Sequence, residues 1–250
     1  MRVISLGWGV QSFTLAAMAA VGEIAPVDAA VHADTLHESS LTYAFAKQWT
    51  PWLEERGVRV VTVSDRQQEG TADKWGGVFI PAFTHDGRSA GMLRRSCTHR
   101  WKIAPIRRWL QANRPSDTVE LLIGISTDEA MRVKPSDVRY ITNQWPLLEL
   151  GMSRGHCENW LEEHGIEVPP KSACTFCPFH DTKEWRNVRA IPEDWAEAVA
   201  VDQAIRTMRP PHYLYVHPAR VPLTEIDLNT PEENGQMRLW DEECFGVCGV

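Results

Sequence analysis

The first third of the chain alternates between two hydrophobic periods. Met1 to Leu6 is a short apolar run of the kind that forms a buried strand, and Ser12 to Val21 (SFTLAAMAAV) has the Ala-rich composition of a helix. Val27 to His32 is a second apolar run. Leu41 to Arg56 then carries apolar or aromatic residues at 41, 45, 49, 52 and 53, close to helical spacing, and Gly57 stands where that helix should end. Val58 to Val63 (VRVVTV) is β-branched and reads as a third strand. The order βαβαβ favours a parallel sheet with right-handed crossovers.

Beyond it, Asp65 to Met92 is rich in Gly, polar and aromatic residues without sustained periodicity, which predicts a long lid or substrate loop. A helix is expected from about Ile103 to Asn113, with Pro105 tolerated in its first turn. Val119 to Ile125 is the clearest buried strand of the second half. It runs into Ser126-Thr127-Asp128-Glu129, which places polar groups at the carboxyl end of a strand, where open α/β sheets bind ligands. From Pro146 onward the pattern changes to short helices and turns. Trp185 to Arg209 reads as helical with a break at Pro192, followed by a tail of extended and turn signals. The expected fold is a mostly parallel open α/β sheet flanked by helices. Residues 1–150 are expected to form the α/β domain, and residues 151–250 a smaller, cysteine-bearing, mostly helical subdomain with the C-terminal tail.

Composition narrows the function classes. With 250 residues, 43% hydrophobic and 24% charged, the chain can bury a sizeable globular core. A net charge of −7 argues against polyanion binding through the surface as a whole and leaves only a local basic groove open to nucleic acid. The 11 tryptophans sit mostly among charged residues in helical patterns, which suits core anchors better than a base-stacking platform. The start MRVISLGWG has no signal-peptide pattern, and no apolar run approaches the roughly 18 residues of a membrane span. A cytoplasmic protein without a membrane partner is therefore expected. In that reducing compartment the six cysteines read as metal ligands or reactive thiols.

Gly7 and Gly9 follow the first strand and precede a helix, so backbone amides can approach a ligand, and Ser12 stands near the helix start where an anion is favoured. A Walker loop is excluded because no Lys follows these glycines, and a Rossmann fingerprint because Ser stands at position 12. After the second strand come His32-Ala33-Asp34-Thr35. Asp34 there can take a ribose hydroxyl, a metal or an adenine-side contact, or simply cap the next helix. Cys174-Thr-Phe-Cys177-Pro is a CxxC turn, and Cys97 and Cys157 bring the set to four thiols. Structural zinc, a [4Fe-4S] cluster and a dithiol redox pair all fit that set. Cys244 and Cys248 form a separate CxxxC, placed either to carry sulfur or reducing equivalents or to pack.

Taken in order, these segments resemble the phosphoadenosine phosphosulfate reductase-like branch of the PP-loop ATP pyrophosphatase superfamily. Ser5-Leu-Gly7-Trp-Gly9-Val-Gln11-Ser12 looks like its variant phosphate loop, and His32 to Glu38 resembles its ADTGxE segment. Cys97 to Ile106 resembles its Cys-Thr-x-x-x-Lys-Ile-x-Pro-Ile element, and Gly124 to Arg132 its GIxxDExxR pattern. Pro146-Leu147-Leu148-Glu149 and Lys171 to Pro178 complete the series over roughly residues 1 to 180.

The resemblance implies an adenine nucleotide α-hydrolase-like fold that binds ATP with Mg²⁺, forms an adenylated acceptor and releases pyrophosphate, in many relatives for sulfur transfer. Ser5, Gly7, Gly9, Gln11, Ser12, Asp34, Thr35 and Gly124 would bind the nucleotide. Asp128 and Glu129 would hold Mg²⁺, while Arg132 and Lys102 offset phosphate charge. Cys97, Cys157, Cys174 and Cys177 resemble the ligands of cluster-bearing members that thiolate nucleic acid, which turns the metal expectation from Zn²⁺ toward [4Fe-4S]. Nucleic acid, a nucleobase or a small molecule is the implied acceptor, and a sulfur donor or thiol reductant the implied partner. Against the usual SGGxDS loop, Gly7 replaces the first Ser and Gln11 the Asp, and Leu36 replaces the Gly of ADTG. Reduction of an adenylylated sulfate through Cys244 or Cys248, and a catalytically silent nucleotide-binding module, are the alternative functions.

Overall fold

The computed structural model describes residues 1–65, 78–115 and 118–229. Five strands form an all-parallel sheet in the order β3-β2-β1-β6-β7. They are β1 (Arg2–Leu6), β2 (Ala29–Asp34), β3 (Val60–Ser64), β6 (Val119–Ile123) and β7 (Ile141–Gln144). The helices of this layer system are α1 (Val10–Val21), α2 (Ser40–Glu55), α3 (Ala104–Asn113), α4 (Pro146–Glu149) and α5 (Arg154–Glu163). Alternation along β1 sends Ile4 and Leu6 to one face, against α1, α2 and α5, and Val3 to the other, against α3. Strands covered on both faces are the reason the first third reads as apolar runs rather than strict alternation. Each large core side chain such as Phe13 or Leu122, with no exposed surface, contributes about 2 kcal/mol.

Where α1 begins is set by the glycine turn. Gly9 is its N-cap, and the Phe13 amide donates to the Gly9 carbonyl at 2.9 Å, so the helix starts at Val10, two residues ahead of the expected Ser12. α2 is capped by Ser39, whose hydroxyl accepts from the Thr42 amide, and it ends at Glu55, two residues before Gly57 at φ +83°. Asp34 is the last residue of β2, and Ser39 rather than Asp34 caps the helix that follows.

The expected structureless stretch from Asp65 to Met92 contains a hairpin. β4 (Phe83–His85) and β5 (Ala90–Met92) pair antiparallel, and β4 pairs on its other edge with β8 (Tyr213–Tyr215), which makes a second sheet of three strands. Strands of three residues are too short to show a period in the sequence. Residues 66–77 of that stretch, like Cys244 and Cys248, lie outside the described residues. α6 (Thr182–Ala190) and α7 (Pro192–Ile205) are separated at Pro192 and cover this second sheet. Trp185, Ala198, Ile205 and Leu214 join Phe79, Ile80, Trp101 and Phe176 in one apolar cluster.

The two cores interleave along the chain. Leu147, Cys157, Leu161 and Ile166 belong with α1, whereas Phe79 to Trp101 belongs with α6 and α7. Trp8, Trp101 and Trp185 are buried anchors. Among the described residues no helix is long and apolar enough to cross a membrane.

Candidate functional site

In the strand order 3-2-1-6-7 the chain leaves β1 toward β2 and β3, then returns to add β6 and β7 on the other side. The connections after β1 and β6 therefore run to opposite sides, and the carboxyl edge between these two strands is a topological switch point. The glycine turn follows β1 at that point, and Gly124-Ile125-Ser126 follows β6 beside it. Ser5 lies within β1, paired with Val31 and Ile123, one residue short of the strand end.

The turn is closed by its own serine. Ser12 Oγ accepts from the Gly7 amide at 3.0 Å and donates to the Gly9 carbonyl at 3.2 Å. This hydroxyl is used inside the loop, so the groups left for an anion are the first-turn amides of α1, which have no partner within the helix. Trp8, between the two glycines, has φ +57° and is 1% exposed. Its ring packs against Phe13, His32 and Phe45, and this burial holds a side chain in a conformation usually left to glycine. A tryptophan between the two glycines of the turn is a signal that sequence reading passed over.

Gly124 explains how closely the two meet. A Cβ there would stand 2.7 Å from the Ser12 nitrogen and 2.9 Å from the Gln11 carbonyl carbon. Only glycine lets the end of β6 approach the first turn of α1 so nearly. Gln11, standing where an Asp was expected, extends Nε2 toward the buried Ser126 hydroxyl at 3.5 Å. Asp128 Oδ2 accepts from Ser126 Oγ at 3.4 Å and from the Arg154 amide at 2.5 Å, at the start of α5. Glu129 and Arg132 form an exposed ion pair with each other. The expected Asp128, Glu129 and Arg132 trio therefore divides, Asp128 bracing α5 and the other two pairing at the surface.

At the end of β2, Asp34 Oδ1 accepts from the Leu36 amide at 2.8 Å and from the Tyr43 hydroxyl at 2.7 Å. Burial first, and then the Asp34 bond, push the Tyr43 hydroxyl far above its ordinary pKa, so it stays a donor. Leu36 has φ +64°. The carboxylate thus holds a backbone shape that glycine would adopt freely.

A second group of polar side chains meets behind this loop. Glu38, in the same segment, has a fully buried side chain and pairs with Lys102 Nζ at 2.9 Å. Lys102 lies on a turn of wide helix, Thr98–Ile103, that leads into α3, so this helical stretch starts five residues before the expected Ile103. Burial alone would lower the Lys102 pKa, but Glu38 outweighs it and the net shift is upward. Ser172 Oγ donates to Glu38 Oε2 at 3.3 Å, and Thr35 Oγ1 contacts Cys174 Sγ at 3.4 Å. Ser172 also sits over the glycine turn, its Cβ 3.8 Å from where a Gly9 Cβ would be. The CxxC segment is pinned to the β2 loop by the Ser39 amide bonding to the Ala173 carbonyl and the Thr175 amide to the His37 carbonyl. From α7, Glu197 holds both His37, at 2.7 Å, and the Thr175 hydroxyl, at 2.6 Å.

Beside these residues is a cavity of about 100 Å³, with Thr35, Arg95, Lys102, Ser172 and the thiols of Cys97, Cys174 and Cys177 in its wall. Cys157, expected as the fourth metal ligand, is not there. It is completely buried in the core against α1, where Thr14 is its hydrogen-bonding neighbour. The reason is the apolar face of α5, on which Cys157 and Leu161 lie one turn apart and pack as hydrophobes. Among the described residues no group of three or more His, Cys, Asp or Glu is arranged to hold a metal ion. The four-thiolate site implied for a [4Fe-4S] cluster or for zinc does not fit this arrangement. Burial pushes the Cys157 thiol up to about 11 and Cys174 to about 12, with Glu38 adding to the latter, and raises Cys177 as well.

No protein-family model matches the chain, and no curated protein matches it. Among solved structures it is similar to a phosphoadenylyl-sulfate (PAPS) reductase from Candida auris in a phosphate complex. That likeness has 12% identity and a TM-score of 0.46, and covers 67% of this chain and 74% of that one.

Proposed function

We propose that the chain binds ATP across the switch point between β1 and β6 and activates an acceptor oxygen by adenylation, for later exchange of that oxygen for sulfur. The observation that carries the reading is the switch point itself. The α1 N-terminus, with first-turn amides that have no partner within the helix, and a glycine that brings β6 against it stand where open parallel sheets take nucleotides. The ordered motifs from Gly7 to Pro178 support the same nucleotide class by resemblance.

In this reaction the acceptor oxygen attacks the α-phosphorus and the bond to the bridging β-phosphate oxygen breaks. Pyrophosphate leaves with the electron pair. A sulfur nucleophile then displaces AMP, forming the C–S bond as the C–O bond breaks. The α1 amides would hold phosphate oxygens, and Lys102, which shares the Glu38 carboxylate with Ser172, would offset charge as pyrophosphate departs. Mg²⁺ bound through phosphate oxygens and one or two carboxylates needs no protein cage, so it would arrive with the nucleotide and neutralise phosphate charge. Cys97, Cys174 and Cys177 in the wall of the neighbouring cavity support the sulfur part of this reading. No step is assigned to a metal cluster.

The test is product analysis with ATP labelled at the α- and the γ-phosphate, supplying nucleosides, tRNA and DNA separately as acceptors. AMP and pyrophosphate in equal amounts are expected with the right acceptor. ADP and phosphate as the products, or no ATP binding by calorimetry, would end this reading.

A further inference from the structure

Glu38 does not line the cavity, yet it organises those side chains that do. Its Oε1 takes the Lys102 ammonium at 2.9 Å and lies 3.4 Å from the Thr35 hydroxyl, and its Oε2 takes the Ser172 hydroxyl at 3.3 Å. Thr35, Lys102 and Ser172 all stand in the cavity wall and come from three separate segments. Around the same point Glu38 and Cys174 form an antiparallel bridge. The ion pair is asymmetric: the carboxylate side chain is 0% exposed, while that of Lys102 is 36% exposed. A pair serving the core alone would bury both members. An ammonium has three donors, and this one spends a single N–H on Glu38, which leaves others for an acceptor in the cavity.

We propose that Glu38 is a positioning residue, which fixes the Lys102 ammonium toward the cavity beside the glycine turn so that it meets an oxyanion of the bound nucleotide, phosphate or leaving pyrophosphate. This rests on the nucleotide reading above. Glu38 touches no ligand itself. Lysine on a four-carbon stem is otherwise free to sweep through solvent, and a buried counter-ion removes that freedom before the ligand arrives.

Two measurements on the full chain test it. First, the acylation rate of Lys102 by an amine-reactive ester is followed by peptide mass mapping; Glu38→Gln should raise it about tenfold, since a charge-assisted hydrogen bond no longer holds the amine. Second, ATP affinity is measured by calorimetry. Lys102→Met and Glu38→Gln should each weaken ATP about tenfold, and the double variant should be no weaker than Lys102→Met within about twofold. Unchanged labelling in E38Q, or additive losses in the double variant, would overturn the proposal. So would an ATP loss that merely follows lost thermal stability. If E38Q does not fold, Glu38→Asp keeps the charge but withdraws it by one methylene, and should move both readouts in the same direction by less. A wild-type protein that binds no ATP overturns the nucleotide reading, while faster labelling in E38Q still supports the placement of Lys102 by Glu38.

Discussion

Gly124→Ala is the most direct probe of the switch point. The added methyl would face Ser12 N at 2.7 Å, Ser12 Cα at 2.8 Å and Gln11 C at 2.9 Å, all backbone atoms that no rotamer change can move aside. Ordinary contact begins at 3.4 Å, so β6 and the first turn of α1 must separate by about 0.7 Å. Overpacking of this kind costs about 1–3 kcal/mol, and for a chain of this size each kcal/mol lowers the melting temperature by about 2–4 °C. The moved atoms are those that shape the glycine turn, and a misplacement approaching 1 Å costs on the order of a hundredfold in rate. Gly22→Ala is the control. It ends α1 at φ +82° with nothing within 4 Å of a new Cβ, so it costs about 1–2 kcal/mol of backbone strain far from the switch point. Thermal unfolding and ATP calorimetry on both variants should give comparable stability losses, with the affinity loss confined to Gly124→Ala. If Gly124→Ala melts like wild type and binds ATP equally well, the close approach of β6 and α1 is wrong.

Other expectations follow from the buried polar groups. Asp202 is 1% exposed, pairs with Arg206 and accepts from the Val216 and Leu223 amides at 3.0 and 3.1 Å, so Asp202→Ala strands three donors and should cost about 3–5 kcal/mol in urea unfolding. A cost under about 1 kcal/mol would refute that role. His32 lies behind the glycine turn, its Nδ1 donating to the Leu6 carbonyl, and burial lowers its pKa below the ordinary 6.5. The unfolded chain takes up that proton first, so stability is full above about pH 6.5 and declines as pH falls toward the lowered folded value. His32→Gln keeps a donor but not the titration, and its urea midpoint should fall less than that of wild type between pH 7.5 and 5.5; an equal fall rules His32 out. Cys157→Ala should cost about 1–2 kcal/mol as a small core truncation and leave the metal content of the purified protein equal to wild type's. Metal present in wild type and lost in that variant would return Cys157 to the ligand set.

How far the sequence carried the fold depended on period and length. The apolar runs of β1 and β6 and the Ala-rich α1 are long enough to be recognised, and the break at Pro192 is a local steric fact. β7, with the sequence ITNQ, and the three-residue strands β4, β5 and β8 carry no such signal, because their stability comes from partners far away in the chain. The residues singled out in the sequence meet in part: Thr35, Lys102 and three of four cysteines line one cavity. Cys157 misled because thiols read the same whether they face a cavity or a core, and only the apolar face of α5 separates the two. Glu38 was visible as a motif letter, but its burial under Lys102 and Ser172 depends on residue 38 meeting residues 102 and 172, which spacing does not encode.

Trp8 and Leu36 bear on whether the loops at the carboxyl edge are held in shape. Both hold positive φ at the ends of adjacent strands, where glycine would cost nothing and other residues cost of order 1–3 kcal/mol. Such strain survives only if neighbours compensate for it. Trp8 is compensated by burial among Phe13, His32 and Phe45, and Leu36 by the Asp34 carboxylate on its amide. The loops therefore keep the backbone course of a glycine turn while changing its letters. A chain selected only for a folded α/β core has no need to retain two strained turns at the same carboxyl edge, beside a buried carboxylate aiming a lysine at a cavity. Together these features argue for a site held in shape for a ligand.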